Sequence, residues 1–205
     1  RGIRFAARRG AKVINLSFEF SSEVTGASIP DVLSALRYAQ RRGVLVIGAS
    51  GNAHAKAVAY PARSSLVVSV GATTEHGCQA EYSNRGPGLD ISAPGGGGDA
   101  NVPGDPNCRP FGKPGRGIFQ VTFDGSARKF GLPSGYMGTS MAAPHVSGVA
   151  ALVIASGVVG RDPSPREVQQ RLVGTATDLG KPGFDDRYGA GLLDAARATD
   201  PAATG

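Results

Sequence analysis

One serine and one asparagine stand in settings that suit acyl-transfer chemistry. Ser140 follows the turn residues Gly138 and Thr139 and precedes a long run of small apolar residues that predicts a helix. A helix N-terminus offers free N–H groups and a positive dipole end, which would stabilise an oxyanion forming beside the hydroxyl. The simpler interpretation is that Ser140 only caps the helix. Asn52 ends an apolar run and by itself is a turn asparagine.

A serine nucleophile needs a general base, and the sequence holds three histidines. His145 is five residues beyond Ser140, about 140° around the same helix, so it points away and a packing role is expected. His76 lies in a predicted surface turn. His54 is near Asn52, but nothing around it suggests a carboxylate to orient the ring. We therefore expect this chain to lack the base that Ser140 would need.

Apolar runs alternate with helical patterns along the chain, which is the signature of parallel βαβ units. We predict an α/β fold of three layers, a mostly parallel sheet with helices on both faces. The strands are expected at 13–18, 44–47, 66–70 and 91–93, and the helices at 2–9, 30–42, 140–156, 164 onward and 193–198.

A stretch rich in glycine and proline, residues 95–117, interrupts this pattern and predicts a surface loop. The alternating residues 119–123 followed by Asp124-Gly125 predict a hairpin. Cys78 and Cys108 lack the spacing of a zinc site; one disulfide and two free buried thiols are both consistent with the sequence.

Composition excludes several classes of protein. The hydrophobic content of 40% argues against disorder, and no apolar run approaches the ~20 residues of a membrane span. The net charge of +6 comes from scattered arginines without interleaved aromatics, so no nucleic-acid partner is expected. The chain begins part-way along a segment that is predicted to be helical, and we expect further protein before Arg1.

The stretch 138–148, GTSMAAPHVSG, closely resembles the nucleophile motif of the subtilisin-like serine proteases. The resemblance covers nearly the whole chain, and residues 1–205 are interpreted as the C-terminal part of such a catalytic domain, with residues 95–117 as an insertion loop. Further matching segments, in the family's order, are GAKVINLS (10–17), VIGASGN (46–52), YPA (60–62), YSNRGP (82–87), APG (93–95) and YGAGLLDA (188–195).

The resemblance implies that Ser140 is the nucleophile and that Asn52 donates its side-chain N–H to the oxyanion. It also implies a substrate-binding cleft for an extended peptide; the residues expected to line it are Ser17, Phe18, Glu19, Ser50, Gly51 and Thr139. The family usually has small glycines after the position of Ser17, where this chain has Phe18-Glu19-Phe20. Either the loop is rearranged, or Glu19 places a negative charge at the pocket rim and favours a basic side chain.

No metal site is predicted. Asp90 matches an acidic position of a weak cation site in some relatives, but Gly88 stands where the companion acid would be. The implied chemistry requires no cofactor, and calcium is left as an unsupported option.

In the family, the catalytic aspartate and histidine precede the serine on segments that would lie before Arg1. The sheet is accordingly expected to be incomplete, and this chain alone to be inactive until an N-terminal segment supplies both residues. The expected function is a serine endopeptidase segment acting on peptides or proteins; the family implies a secreted or cell-envelope location. Two alternatives remain, a non-catalytic peptide-binding or assembly subunit and a serine acyltransferase or peptide ligase.

Overall fold

A computed structural model describes residues 1–21 and 23–204, and its centre is a parallel sheet of four strands in the order β1-β2-β3-β4. The strands are β1 (Val13–Leu16), β2 (Leu45–Ala49), β3 (Val68–Thr73) and β4 (Ile91–Pro94). Asn15 pairs with Ile47, Gly48 with Ser69, and Ala72 with Ala93. The predicted α/β class is confirmed, although β1 ends two residues earlier than expected.

Both faces of the sheet are covered. Alternate residues of β2, such as Leu45 and Ile47, pack against helix α3 (Thr139–Ser156), while Val44 and Val46 pack on the opposite face. That opposite face is covered by α1 (Gly2–Arg8) and α2 (Pro30–Arg41), and the fold is completed by α4 (Pro165–Gly174) and α5 (Ala195–Thr199). Because successive strand residues point to opposite faces, a strand buried on both sides is a continuous apolar run.

Helix α3 is the core helix that carries the candidate serine. It is long and apolar enough to cross a membrane by length and composition, but Ala142, Val146 and Val153 are fully buried in the protein core. It begins at Thr139, one residue before the expected start, and its N-cap is Gly138. Ser140 is therefore the second helical residue and does not cap the helix.

The predicted start of α4 is confirmed by a complete capping box. The hydroxyl of Ser164 accepts a hydrogen bond from the N–H of Glu167, and the Glu167 carboxylate accepts one from the N–H of Ser164. The last helix, α5, begins at Ala195, two residues later than expected, because the Asp194 carboxylate accepts the N–H of Arg197 and caps it there.

Residues 95–117 contain no helix or strand in the described part of the chain, and a disulfide between Cys78 and Cys108 ties this loop to the turn after β3. The buried carboxylate of Asp99 accepts hydrogen bonds from the Thr74 hydroxyl, the Arg109 N–H and a ring nitrogen of His76. Burial acts to raise the pKa of Asp99, but these hydrogen bonds outweigh it and lower the pKa.

The hairpin expected after residue 119 is present but short. Its strands are β5 (Thr122–Phe123) and β6 (Phe130–Gly131), and the rings of Phe123 and Phe130 lie 4.6 Å apart on its exposed surface.

Candidate active site

The loops after β1 and β2 meet the first turn of α3 at the carboxyl end of the sheet, since the carboxyl ends of parallel strands lie together. Ser17 follows β1 and forms two reciprocal hydrogen bonds with Ser140. The Ser140 hydroxyl donates to the Ser17 carbonyl oxygen at 3.1 Å, and the Ser17 hydroxyl donates to the Ser140 carbonyl oxygen at 2.8 Å.

Pro144 explains why the Ser140 carbonyl is available to Ser17. In an α-helix this carbonyl would accept the N–H of the residue four positions later, and Pro144 has no N–H. Pro144 is the sixth residue of α3 and lies in its second turn. Ser17 therefore replaces a missing helical hydrogen bond and fixes the backbone of Ser140.

Thr139 connects Asn52 to the start of α3. The side-chain oxygen of Asn52, Oδ1, accepts the Thr139 N–H at 2.8 Å and the Thr139 hydroxyl at 3.1 Å. The same hydroxyl accepts the Gly51 N–H at 3.2 Å. Because Oδ1 is held by two donors, the amide nitrogen Nδ2 must point the other way, toward the surface. The Thr139 side chain is fully buried, so it acts on the site through Asn52.

Gly138 and Tyr82 stabilise the turn that leads into α3. Gly138 has a φ of 139°, a conformation that L-residues with side chains rarely adopt. Its N–H donates to the Tyr82 hydroxyl at 2.9 Å, and that hydroxyl lies 2.7 Å from the carbonyl oxygen of Gly95, to which it can donate. Burial raises the pKa of Tyr82, so the phenol stays protonated and able to donate.

Asn84 is a further supporting residue, for which the sequence alone predicts no role. Its Nδ2 donates to the Ser50 carbonyl at 3.1 Å, and its Oδ1 accepts the N–H groups of Ala53 and Ala55 at 3.0 and 2.9 Å. The buried amide therefore shapes the loop that carries Asn52. Only its place within the matched YSNRGP segment could have indicated it, because an asparagine beside serine and arginine has no distinctive pattern.

The expected substrate-binding residues Ser50 and Gly51 use their N–H groups within the protein. Ser50 donates to the Val70 carbonyl at 2.9 Å and Gly51 donates to Thr139. Their carbonyl oxygens are bonded as well: that of Ser50 accepts the Asn84 Nδ2 and the Ala59 N–H, and that of Gly51 accepts the Asn84 N–H. Phe18 is 43% exposed and packs edge-to-face on Phe20, with ring centroids 5.8 Å apart.

Glu19 reaches across to Asn52. Its carboxylate accepts the Asn52 N–H at 3.2 and 3.0 Å, one distance to each oxygen, and Oε1 accepts the Asn52 side-chain Nδ2 at 3.1 Å. The amide donor that faces the surface is thus bonded to an exposed carboxylate.

Within residues 1–21 and 23–204, the three histidines are hydrogen bonded to groups other than Ser140. The Nδ1 atom of His54 contacts the Glu81 carbonyl oxygen, that of His76 lies 3.0 Å from Asp99, and that of His145 lies 2.8 Å from the Met141 carbonyl oxygen. Among the same residues the hydroxyl of Ser140 donates to a carbonyl and not to a base.

An open cleft of about 480 Å³ lies beside Ser140. Its walls come from the end of β1, the first turns of α3 and the segment before the hairpin; they are Ser17, Ile118, Phe119, Gln120, Ser140, Met141, Pro144 and His145. The nucleophile candidate is therefore accessible on a largely apolar surface. His145 is exposed and lines the same cleft, so the packing role expected for it is wrong.

Asp90 serves the protein interior. One of its oxygens, Oδ2, accepts the N–H of Ser69 at 2.7 Å and lies 2.8 Å from the Ser69 hydroxyl. The other lies 3.4 Å from the amide of Gln169. Burial raises the pKa of Asp90. In the described part of the chain no three histidine, cysteine, aspartate or glutamate side chains converge as metal ligands.

Comparison with known proteins places these features in a family. The chain is 38% identical over 201 residues to M-protease of Shouchella clausii (strain KSM-K16) and 37% identical over 201 residues to Subtilisin BL of Lederbergia lenta. Each alignment covers 97% of this chain but only 43% and 60% of the respective relative. The chain thus spans about half the length of the curated relatives it matches.

The crystal structure of a lanthipeptide protease superposes with a TM-score of 0.74 at 29% identity, covering 96% of this chain and 63% of that one. The family model described as the subtilase family matches residues 1–191. The chain therefore belongs to the subtilase family of peptidases.

Proposed function

We propose that this chain is the nucleophile-bearing part of a serine endopeptidase. Ser140 attacks the carbonyl carbon of a peptide bond while its proton passes to an imidazole supplied by a preceding segment. The tetrahedral oxyanion is bound by the Asn52 Nδ2 and the Ser140 N–H. The intermediate expels the amine, which takes the proton from the imidazolium, and water then hydrolyses the acyl-enzyme. This chemistry requires no cofactor.

The observation that carries the proposal is the connection of Asn52 to the residue directly before Ser140. Thr139 binds Oδ1 through two donors, so the Nδ2 donor is oriented outward next to the nucleophile. No acceptor among the described residues takes the N–H of Ser140. The orientation of Nδ2 is thus fixed by Thr139, and the Ser140 N–H is unbonded, before any charge develops, and oxyanion stabilisation needs donors prepared in this way.

A segment that precedes this chain is proposed to supply the aspartate and the histidine. Strand β1 lies at the edge of the sheet, where its outer N–H and C=O groups can pair with another strand. The open cleft beside Ser140 is wide enough for an imidazole to approach the hydroxyl. We expect the chain alone not to hydrolyse peptides, because the Ser140 proton is donated to a carbonyl oxygen, which is not a base.

We also propose that the protein is exported, to the medium or the cell envelope. The Cys78–Cys108 disulfide supports an oxidising compartment.

Labelling with a serine-reactive fluorophosphonate tests the proposal. The chain is compared with and without its N-terminal segment, beside Ser140→Ala and the control Ser134→Ala, an exposed serine in the preceding loop. We expect rapid labelling only of the complete protein, abolished by Ser140→Ala and unaffected by Ser134→Ala.

Asn52→Ala should lower kcat by about 10²–10³, the cost of losing one oxyanion donor as measured in a subtilisin. A complete protein that binds peptides but is neither labelled nor able to cleave them would instead be a non-catalytic binding subunit. Product formation only when an amine acceptor is added would indicate an acyltransferase or ligase.

A further inference from the structure

Glu19 occupies the donor that the proposed mechanism reserves for the oxyanion. Its Oε1 lies 3.1 Å from Asn52 Nδ2, and both carboxylate oxygens lie within 3.2 Å of the Asn52 N–H. A negatively charged oxygen at hydrogen-bond distance from this donor has the charge and the position of a developing oxyanion. A substrate carbonyl can use Nδ2 only after the carboxylate has moved.

The surrounding backbone provides the space for this contact. Gly51 has a φ of 113°, and a Cβ added there would lie 2.2 Å from Oε2 of Glu19. The chain on either side of Glu19 is fixed, because Ser17 bonds to Ser140 and the Phe20 N–H donates to the Tyr60 carbonyl at 2.8 Å. Because this backbone is fixed, the carboxylate would leave Asn52 by rotation of the Glu19 side chain and not by movement of the loop.

Charge determines which substrate can displace the carboxylate. Glu19 is exposed and makes no ion pair with any residue in the described ranges 1–21 and 23–204. Its anion is held only by neutral amide donors. A cationic side chain would replace those hydrogen bonds by a charge-assisted contact, whereas an apolar side chain would offer nothing in exchange.

The substrate side chain nearest to Glu19 belongs to the residue whose carbonyl is attacked. That carbonyl oxygen has to approach Nδ2, the atom that Oε1 now contacts, and the side chain of the same residue is two bonds from the carbonyl carbon. A long cationic side chain there can reach a carboxylate that has rotated a few ångströms away.

We propose that Glu19 is a specificity-determining residue that binds an arginine or lysine side chain on the acyl side of the cleaved bond, and that this ion pair withdraws the carboxylate from Asn52 and frees the oxyanion donor. The inference rests on the proposed endopeptidase function. In this arrangement the substrate cation both selects the peptide and makes the site competent.

Cleavage of fluorogenic peptides that differ only in Arg, Lys, Leu or norleucine at the acyl position tests the proposal with the complete protease. We expect kcat/KM to favour Arg and Lys over norleucine by at least about tenfold, the effect of one hydrogen bond to a charged group. Glu19→Gln should reduce this preference to within about threefold. Glu23→Gln removes the same charge from an exposed position of the same segment and should retain the preference.

Binding of benzamidine to the Ser140→Ala protein, measured by calorimetry, provides a readout independent of turnover. Adding Glu19→Gln should weaken this binding about tenfold or more. Equal kcat/KM for Arg and norleucine, or a preference that survives Glu19→Gln, would overturn the proposal while fluorophosphonate labelling of Ser140 still upheld the endopeptidase function. If the complete wild-type protein were neither labelled nor able to cleave peptides, both the role of Glu19 and the endopeptidase function would be refuted.

Discussion

Thr139→Val tests how strongly catalysis depends on the orientation of Asn52 by the Thr139 hydroxyl. Valine keeps the shape of threonine and removes only the hydroxyl, which donates to Asn52 and accepts the Gly51 N–H. Thr139 and Gly51 are both buried, so the Gly51 N–H would be left without an acceptor away from water. An unsatisfied buried donor costs about 1–3 kcal/mol, so urea unfolding of the complete protein should show a loss of that size.

The same substitution should lower kcat by about tenfold and change KM little. Complete loss of an oxyanion donor costs about 10²–10³, but the Thr139 N–H, 2.8 Å from Asn52 Oδ1, remains in the variant and keeps half of the support. The effect falls on kcat because the donor is used most strongly in the transition state.

Thr139→Ser is the matched control, because it keeps the hydroxyl and removes a buried methyl group. Its stability loss should be similar, about 1 kcal/mol, while kcat stays near that of the wild type. Equal kcat values for Thr139→Val and Thr139→Ser would refute the reasoning, since both variants lose stability but only one loses the hydrogen bond to Asn52.

Three further predictions concern the elements around the site. Replacing Cys78 and Cys108 together by alanine should lower the free energy of unfolding by about 3.6 kcal/mol, from the loop-entropy relation for their separation of 30 residues, and a loss below about 1 kcal/mol in urea unfolding would contradict this. The stability that Asp99 contributes is present above the ordinary carboxyl pKa and lost as pH falls through its lowered pKa, so Asp99→Asn should destabilise the protein at pH 7 and converge with wild type in acid unfolding titrations. Ser17→Ala leaves the Ser140 carbonyl unpaired and should cost about 0.5–1.5 kcal/mol, whereas in a Pro144→Ala background, where a helical N–H is restored, the same change should cost less.

The layers of the fold could be predicted because each strand and helix has a strong local pattern. The four apolar runs become β1 to β4 and the capping box at Ser164 marks the start of α4. The element ends are less determined by local sequence. Strand β1 ends at Leu16 because the next residue turns to pair with Ser140, a contact 123 positions away that no local pattern contains.

The individual site residues follow from motifs, but the contacts among them do not. The match of 138–148 indicates Ser140 and that of 46–52 indicates Asn52, whereas the orientation of the Asn52 amide depends on Thr139, 87 positions away. Glu19 illustrates the same limit. The sequence shows a charge where the family has a glycine, but the hydrogen bonds from Asn52 to that charge depend on how two loops approach each other.

The position of the nucleophile depends on groups that α3 leaves unbonded. Every helix has free N–H groups in its first turn, and Pro144 adds one free carbonyl, that of Ser140. Asn52 takes the N–H of Thr139, and Ser17 bonds to that carbonyl. If the Ser140 carbonyl were bonded within the helix, the Ser17 hydroxyl would lose this acceptor. The unmet hydrogen-bonding capacity at the start of α3 is therefore what brings the ends of β1 and β2 to the serine, so changes farther along the helix should alter stability more than the geometry of the site.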